Sequence, residues 1–268
     1  MSIKLFVTDL DGTLLPSGQQ VSDENIKAAQ SAVSAGVTVT IATGRMYKAA
    51  LPVAKALGVD VPIITYNGAL IKTVAGEVLY SNYLAPDLVC RVIDYCREKD
   101  WYLQIYSQDE LYYAERNKYA KAYEADQQIK GHAVGWDGLK EHTAAVCKLL
   151  SITDGAAETD ARIAELRSVF GEVLSPVRSK AQYAEIINPG VSKAAGIRNL
   201  AERLGISIAD TMAIGDAEND LPMLKAAGHS VAMGNAVEAV KKVCDYETGT
   251  CAENGWAEAV QRFVLEQQ

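Results

Sequence analysis

An acidic motif directly after an apolar run near the N-terminus constrains the fold more than any other feature of this chain. The run Ile3–Val7 predicts a short buried strand, and Asp9-Leu10-Asp11-Gly12-Thr13 follows it. Alternate residues of a strand project to the same side, so Asp9 and Asp11 are expected to face one ligand, one as nucleophile and the other as proton carrier. Gly12 permits a sharp turn. The alternative interpretation is a strand that ends in an ordinary acidic turn.

The composition indicates a globular protein that avoids polyanions. The chain has 268 residues, of which 49% are hydrophobic and 22% are charged, and its net charge is −8. A surface of that sign disfavours nucleic acid and anionic lipid, although a local positive pocket would still admit a phosphorylated substrate. No apolar stretch is long enough to span a bilayer, and the early acids disfavour a signal peptide. The five cysteines form no C-x-x-C pair, which favours reduced packing thiols. We expect a cytoplasmic protein with no nucleic acid or membrane partner.

Strand-like and helix-like segments alternate over residues 1–83 and again over 188–268. The predicted strands are Ile3–Thr8, Val37–Ala42, Pro62–Thr65, Thr211–Ile214 and His229–Met233, and a small hairpin pairs Leu70–Ile71 with Val78–Tyr80. The predicted helices are Asp23–Ser34, Met46–Leu57, Ser192–Leu204, Leu221–Ala227, Ala236–Lys242 and Trp256–Leu265. This alternation predicts an α/β fold with a doubly wound parallel sheet, whose ligands bind beyond the carboxyl ends of the strands.

The pattern changes over residues 84–187. Ala85–Lys99 predicts a helix, and the alternation of Tyr102–Ser107 is typical of an antiparallel strand that is covered on one face. Nine of the thirteen tyrosines fall between Tyr80 and Tyr123. Further strands are predicted at Val146–Ile152, Val173–Val177 and Tyr183–Ile187, with a helix near Ala156–Val169. Asn188-Pro189-Gly190 is a strong breaker and the expected return linker. The sequence therefore predicts an α+β domain inserted into the first.

Three further motifs follow predicted strands or the return linker. Thr43-Gly44-Arg45 opens the second helix, where a hydroxyl and helix-terminal amides attract anions; an ordinary turn is the alternative. Lys193 lies in a first helical turn, where it is slightly unfavourable for the helix dipole; this suggests an anionic partner, and a solvated surface lysine is the alternative, favoured if the residue is taken alone. Gly215-Asp216-Ala217-Glu218-Asn219-Asp220 follows a strand. Asn219 and Asp220 can cap the next helix, which Pro222 suits, but capping does not explain Asp216.

The charges of these loops predict a cation if the loops converge. Asp9, Asp11, Asp216 and Asp220 would place four carboxylates against Lys193. Two like charges 4 Å apart cost about 4 kcal/mol at an effective dielectric near 20, so either some carboxylates are protonated or a cation is bound. Oxygen ligands favour Mg²⁺, and the three scattered histidines offer no zinc cluster.

Together these motifs resemble those of the haloacid dehalogenase-like (HAD) superfamily. Tyr66-Asn67-Gly68-Ala69 and the insertion resemble its Cof-type sugar-phosphatase-like subfamily, which has a C2-type cap. The resemblance implies a Rossmann-like HAD core over residues 1–83 and 188–268. It also implies that the inserted α+β domain is a cap that closes over the site, excludes water and selects the leaving group.

The resemblance also implies roles for individual residues. Asp9 would attack phosphorus to form an aspartyl phosphate, and Asp11 would act as acid and then base. Mg²⁺ would be held by Asp9, the Asp11 backbone carbonyl and Asp216, with Asp220 orienting Lys193 or a metal-bound water. The Leu10 amide, Thr43, Gly44, Lys193 and Asn219 would surround the phosphoryl group. Arg45, Asn67 and Asn188 are candidate substrate contacts between cap and core.

The expected function is Mg²⁺-dependent hydrolysis of a small phosphomonoester, such as a sugar phosphate or a related metabolite. A phosphomutase of hexose phosphates is the enzymatic alternative, because relatives with similar caps transfer the phosphoryl group. A non-catalytic phosphometabolite-binding protein is a third possibility, although a binding module has no need of the Asp9–Asp11 pair. We expect a monomer or a weak homo-oligomer.

Overall fold

The chain folds into two compact units, Met1–Tyr80 with Ser192–Gln268 and the inserted unit Ser81–Val191. The structure, a computed structural model, describes residues 3–16, 20–58 and 60–266. The inserted unit extends a few residues beyond the expected 84–187. Asn188 lies within this unit, where its side-chain amide donates to Asn82 Oδ1 and to the Tyr83 carbonyl, both at 2.8 Å. These bonds tie the two connecting segments to each other.

The N-terminal part of the first unit alternates strands and helices as the sequence predicts. Its elements are β1 (Leu5–Thr8), α1 (Asp23–Ser34), β2 (Thr38–Ile41), α2 (Tyr47–Ala56), β3 (Ile63–Thr65), β4 (Leu70–Lys72) and β5 (Val78–Ser81). The Ser22 side chain caps α1 by accepting a hydrogen bond from the Asn25 amide. β4 and β5 pair in the predicted hairpin.

The inserted unit is an α+β domain. Its elements are α3 (Pro86–Glu98), β6 (Gln104–Ser107), β7 (Glu110–Tyr113), α4 (Lys118–Gln127), β8 (His132–Ala133), α5 (Gly135–Leu139), β9 (Val146–Ile152), α6 (Ala156–Phe170), β10 (Ser175–Lys180) and β11 (Tyr183–Ile187). The sheet order is β10-β11-β9-β6-β7-β8, antiparallel except between β7 and β8. The sequence did not predict the elements from β7 to α5, since most of them are too short to show a period.

The prediction that β6 is covered on one face is wrong, because all of its residues are buried. Ile105 packs into an apolar core shared with α3 and α6. On the other face Tyr123 of α4 packs against Tyr106 and Tyr183, at ring-centroid distances of 6.1 and 5.9 Å. Gln104 is buried there and donates to the Tyr106 hydroxyl at 2.6 Å. The alternating residues of β6 therefore face an apolar core on one side and buried polar and tyrosine side chains on the other, and neither face is exposed to solvent.

The C-terminal part of the first unit resumes the alternating pattern. Its elements are α7 (Lys193–Arg203), β12 (Thr211–Gly215), α8 (Leu221–Ala226), β13 (His229–Ala232), α9 (Glu238–Lys241), β14 (Tyr246–Glu247) and α10 (Gly255–Ala259), which continues as a π-helical turn over Val260–Leu265. They complete a parallel sheet of order β14-β13-β12-β1-β2, and a single parallel bridge between Ala42 and Ile64 adds β3 beyond β2.

β1 is the strand at which the order of this sheet reverses. β2 pairs with it on one side and β12 on the other, both parallel to it. Every residue of β1 and β12 is buried, so helices and loops cover both faces of the sheet. This doubly wound α/β architecture brings the carboxyl ends of β1, β2 and β12 to one edge, which is where such sheets bind ligands. Within the described ranges, no helix is both long and apolar enough to cross a membrane.

Candidate active site

The first loop of the site continues β1 into a tight turn. The Asp9 amide still donates to the Ile214 carbonyl of β12, at 3.1 Å. Gly12 follows with φ of +84°, a conformation that favours glycine. The Leu10 carbonyl closes the turn by accepting hydrogen bonds from the amides of Thr13, Leu14 and Leu15. The acidic loop is therefore fixed on the edge of the sheet by backbone hydrogen bonds.

The Asp9 and Asp11 carboxylates contact different cationic side chains, and the expectation that they face one ligand stays a prediction. The Asp9 carboxylate contacts Lys193, at 2.5 Å. The Asp11 carboxylate accepts two hydrogen bonds from the Arg45 guanidinium, from Nε at 2.9 Å and from Nη2 at 2.6 Å. The strand ends at Thr8, so its two-residue period no longer applies at Asp11.

Lys193 is buried at the centre of the site. Its side chain is 0% exposed, and Nζ lies 2.5 Å from Asp9 Oδ1 and 2.6 Å from Asp220 Oδ1. The Ser192 hydroxyl caps α7 by accepting from the Ala195 amide. The interpretation of Lys193 as a solvated surface residue is therefore excluded, and its anionic partners are carboxylates of the chain itself.

Glycines allow α7 to approach the sheet closely enough for Lys193 to reach Asp9. Gly68 has φ of +100°, and a Cβ there would lie 2.2 Å from the Ser192 carbonyl oxygen. A Cβ at Gly196 would lie 2.5 Å from Cγ2 of Ile64 in β3. The turn after β3 and the first turn of α7 thus pack backbone against backbone. A larger residue at either glycine would push the lysine away from the site.

The loop after β12 supplies the other two carboxylates. Asp216 Oδ1 accepts from the Thr13 hydroxyl at 2.7 Å, which links this loop to the first one. Asp220 Oδ2 accepts from the amides of Asp216 and Ala217, at 3.0 and 3.1 Å. Asp220 ends a short 3-10 turn, Glu218–Asp220, that runs directly into α8. Its bond from the Ala217 amide caps the start of this turn, as predicted for the following helix, although α8 itself has no side-chain cap. Asn219 lies half-buried in the same turn.

The loop after β2 contributes Thr43, Gly44 and Arg45, but not as the first turn of a helix. α2 begins only at Tyr47, after these three residues. The Thr43 hydroxyl, which is buried, accepts from the Arg45 amide at 3.1 Å. The expectation that the Gly44 and Arg45 amides lie at a helix N-terminus is therefore wrong. The Arg45 side chain is what brings positive charge from this loop to the acidic edge.

Two predicted substrate contacts lie in different units. Asn67 is buried in the turn after β3 with φ of +57°, and its backbone N–H donates to the Thr43 carbonyl at 2.9 Å. A Cβ at Gly44 would lie 2.9 Å from Asn67 Oδ1, so these two loops are in close contact. Asn188 belongs to the inserted unit, where it ties the connecting segments together.

The acidic residues of the site repel one another. Burial raises the pKa of Asp9 well above its ordinary value, and the Asp220 and Asp216 carboxylates add to this while Lys193 opposes it. Burial also raises the pKa of Asp216 to about 6, against the hydrogen bond from Thr13. For Lys193, burial acts to lower the pKa, but the Asp220 and Asp9 carboxylates outweigh it and leave the pKa raised. Four carboxylates face two cationic side chains, so full ionisation leaves two negative charges uncompensated.

This arrangement fits a divalent cation. Carboxylate oxygens of Asp9, Asp216 and Asp220 all lie within 4.8 Å of one another. They are hard oxygen donors, the ligand type that Mg²⁺ prefers. A Cβ at Gly12 would lie 2.4 Å from Asp216 Oδ2, so the backbone of the first loop approaches this carboxylate as closely as only glycine allows. The residues present therefore suit Mg²⁺ in ligand type, spacing and charge.

Two residues that hold the first loop were not singled out from the sequence. Thr13 belongs to the motif, but its bond to Asp216 spans 203 positions and could not be inferred from either segment. The Asn235 side-chain amide donates to the Gly12 carbonyl at 2.8 Å, and its Oδ1 accepts from the Cys251 amide. The available signal for Asn235 was its place shortly after a parallel strand, at the edge that carries the other loops.

Comparison with known proteins shows the family of this chain. A family model of haloacid dehalogenase-like hydrolases matches residues 6–260. The chain belongs to this family. The 5-amino-6-(5-phospho-D-ribitylamino)uracil phosphatase YcsE of Bacillus subtilis is 32% identical to it over 268 residues, which cover 99% of this chain and 97% of that protein.

Solved structures of HAD proteins match nearly the whole chain. A HAD-like hydrolase from Bacteroides thetaiotaomicron superposes with a TM-score of 0.89 at 32% identity, covering 97% of this chain and 99% of that one. A HAD subclass IIB sugar phosphatase gives a TM-score of 0.82 at 27% identity, with 97% and 98% covered. These findings confirm the resemblance seen in the motifs and the α/β fold. This HAD protein is a phosphatase that acts on phosphorylated small molecules.

Proposed function

We propose that this phosphatase uses Mg²⁺ and hydrolyses a small phosphomonoester through a phosphorylated Asp9. The observation that carries the proposal is the convergence of three carboxylates from two distant loops around one buried lysine. Asp9, Asp216 and Asp220 supply the oxygens, and Lys193 bonds both Asp9 and Asp220. A nucleophilic carboxylate held beside a cation suits in-line attack on phosphorus, where positioning and electrostatics supply most of the catalysis.

The reaction has two displacements. An oxygen of Asp9 attacks phosphorus, the bond from phosphorus to the leaving oxygen breaks, and Asp11 gives its proton to that oxygen. Water then attacks the aspartyl phosphorus while Asp11 takes a proton from it. The bond between Asp9 and phosphorus breaks, which releases inorganic phosphate and restores both carboxyl groups.

Mg²⁺ would be held by the side chains of Asp9 and Asp216 and by the Asp11 backbone carbonyl. When bound, it offsets the repulsion between these carboxylates and an anionic substrate. Asp220 accepts from Lys193 and from two backbone amides, so its role in the proposal is to orient the lysine. The Leu10 amide, Thr43, Gly44, Lys193 and Asn219 are the proposed contacts to the phosphoryl group.

The ion pair between Asp11 and Arg45 bears on the proposed role of Asp11 as acid and base. The two oxygens of Asp11 both accept from Arg45 in a bidentate pair, the geometry that binds carboxylates most strongly. This pair stabilises the ionised carboxylate, whereas the first displacement needs the proton-donating form of Asp11. In the proposal an arriving substrate draws Arg45 away and releases Asp11 for chemistry.

The names of two relatives suggest the class of substrate. One is a sugar phosphatase, and the other acts on a phosphorylated ribitylamino-uracil. Both substrates carry phosphate on a polyhydroxylated carbon chain, and we propose the same class here. Arg45, Asn67 and Asn188 stay predicted substrate contacts, and the inserted unit stays the predicted cap and specificity domain. The cytoplasm stays the predicted location.

The decisive experiment measures phosphate release from a panel of phosphorylated sugars and sugar alcohols, with Mg²⁺ and with EDTA. We expect turnover only with the metal, none in Asp9→Asn, and full turnover in the control Asp154→Asn, whose exposed carboxylate pairs with Lys118. Near-wild-type rates in a folded Asp9→Asn would exclude Asp9 as nucleophile. Conversion of a hexose phosphate to its isomer without net phosphate release would favour the phosphomutase.

A further inference from the structure

A buried tryptophan in the C-terminal segment reaches the backbone of the proposed nucleophile through one hydroxyl group. The Trp256 indole N–H donates to Thr8 Oγ1 at 2.9 Å, and the Thr8 hydroxyl donates to the Asp9 carbonyl at 2.6 Å. Trp256 and Thr8 are both 0% exposed. The Trp256 ring is also fixed by an edge-to-face contact with Phe6, at 5.5 Å between centroids. Neither Trp256 nor Thr8 belongs to the acidic motif Asp9–Thr13.

The position of this relay gives it a specific effect. The parallel ladder still holds the Thr8 carbonyl, which accepts from the Ala42 amide, and the Asp9 amide, which donates to the Ile214 carbonyl. The Asp9 carbonyl lies just beyond these rungs and takes the Thr8 hydroxyl instead. Because Trp256 donates to Thr8 Oγ1, the hydroxyl proton is directed toward Asp9. The relay thus replaces the next rung of the sheet.

The Asp9 carbonyl and the Leu10 N–H belong to one planar trans peptide, so they point in opposite directions. Fixing the carbonyl therefore fixes the direction of the N–H. The Leu10 carbonyl is held separately by the amides of the turn, so the residue is anchored on both sides. We infer that Trp256 and Thr8 are positioning residues that aim the Leu10 amide at the transferring phosphoryl group. This inference rests on the proposed function, in which that amide contacts the phosphoryl oxygens.

An aimed donor stabilises charge in the transition state without reorganising during the reaction. Thr8→Val keeps the shape of the side chain but removes the hydrogen bond that holds the Asp9 carbonyl, so the direction of the Leu10 N–H is less well fixed. Loss of a single donor of this kind typically costs about 100-fold to 1,000-fold in rate, and a donor that is misaimed rather than removed costs less. We expect Thr8→Val to lower kcat/KM by about 10-fold to 100-fold.

The test compares kcat/KM for p-nitrophenyl phosphate with the inhibition constant of orthovanadate, in full-length protein with Mg²⁺. Vanadate adopts the geometry of the phosphoryl transition state, so its binding reports transition-state stabilisation. We expect Thr8→Val to weaken vanadate by the same factor as it lowers kcat/KM. Thr8→Ser retains the hydroxyl, so its kcat/KM and its vanadate inhibition constant should stay close to those of the wild type. Trp256→Phe, which keeps Thr8 but removes the indole N–H, should show a smaller loss of both.

Thr211→Val is a matched control. The Thr211 hydroxyl is equally buried, donates to the Ile208 carbonyl at 2.6 Å and accepts from the Gly228 amide, but it lies at the opposite end of β12 from the acidic loop. This variant loses the same kind of hydrogen bonds, so it should destabilise the fold without changing vanadate binding.

Two results would overturn the inference. One is that Thr8→Val and Thr211→Val weaken vanadate inhibition equally, and the other is that Thr8→Val lowers kcat/KM while its vanadate inhibition is unchanged. An active Thr8→Val beside an inactive Asp9→Asn would overturn it and leave the proposed function standing, whereas an active Asp9→Asn would overturn the function itself.

Discussion

Lys193 and Asp220 form an ion pair in which neither side chain reaches solvent. Nζ lies 2.6 Å from Oδ1, and both side chains are 0% exposed. The same ammonium bonds Asp9, so one cation joins the proposed nucleophile to the loop after β12. Breaking a buried pair by removing one partner is far more costly than losing a surface pair, because the remaining charge stays buried.

Replacing Lys193 should therefore affect both folding and catalysis. We expect Lys193→Met to abolish turnover and to lower the free energy of unfolding by about 3–5 kcal/mol in EDTA. Mg²⁺ should recover part of this loss, since the metal compensates the same carboxylates. Urea unfolding with and without Mg²⁺ measures both effects. Lys4→Met is the control, because the Lys4 side chain is 57% exposed and its pair with Asp210 contributes little. Equal losses in the two variants would contradict the prediction.

Gly12 should be required for activity because of its contact with Asp216, and Gly36 is a matched glycine that separates this effect from backbone strain. Gly12 and Gly36 have φ of +84° and +85°, so alanine strains the backbone equally at both. A Cβ at Gly12 meets Asp216 Oδ2 at 2.4 Å, whereas Gly36 has nothing within 4 Å. We expect the two alanine variants to lose similar stability. Only Gly12→Ala should lose activity, by at least about tenfold, because Asp216 must move out of the acidic cluster. Thermal unfolding and phosphate release decide this, and an active Gly12→Ala would count against the site.

The sequence predicted the strands that carry the site but not the directions of the side chains at their ends. β1 and β12 were predicted because short apolar runs mark buried parallel strands. The Arg45 partner of Asp11 was not, since this side chain lies beyond the regular strand, where no periodic rule applies, and the contact between Asp220 and Lys193 was expected only from the family resemblance. Asp11 pairs with Arg45 from another loop, and Asp220 accepts from the amides of Asp216 and Ala217 with one oxygen while the other contacts Lys193. Such contacts depend on how loops meet in space, and one sequence records only their composition.

Metal binding should be visible without turnover. If the side chains of Asp9 and Asp216 and the Asp11 carbonyl hold Mg²⁺, the ion binds the folded state and raises its melting temperature, with a stabilisation of about 2.7 kcal/mol at a hundred times the dissociation constant. Asp216→Asn should remove most of this Mg²⁺-dependent shift, because an amide cannot replace the charge of the carboxylate. The exposed Asp154→Asn should keep it. Thermal unfolding across a Mg²⁺ titration measures the shift, and its persistence in Asp216→Asn would place the metal elsewhere.

The inserted unit should lose stability in acid through Glu124, whose side chain is 7% exposed. Burial acts to raise the pKa of Glu124, but hydrogen bonds from the Gly131 amide, the Tyr113 hydroxyl and Arg116 outweigh it and hold the pKa below the ordinary 4.5. These bonds measure 2.8, 2.7 and 2.8 Å. A lowered pKa in the folded state contributes stability that is fully present above the pKa of the unfolded state, and this stability is lost as the pH falls through the pKa of the folded state.

Urea unfolding should therefore show Glu124→Gln less stable than the wild type at pH 7, and the difference in free energy of unfolding should narrow below about pH 4.5. Tyr113→Phe keeps the carboxylate and removes one donor, so its acid-dependent loss should be smaller than that of the wild type but still present. A gap between Glu124→Gln and the wild type that stays constant from pH 7 to pH 3 would show that the carboxylate contributes by shape rather than by charge.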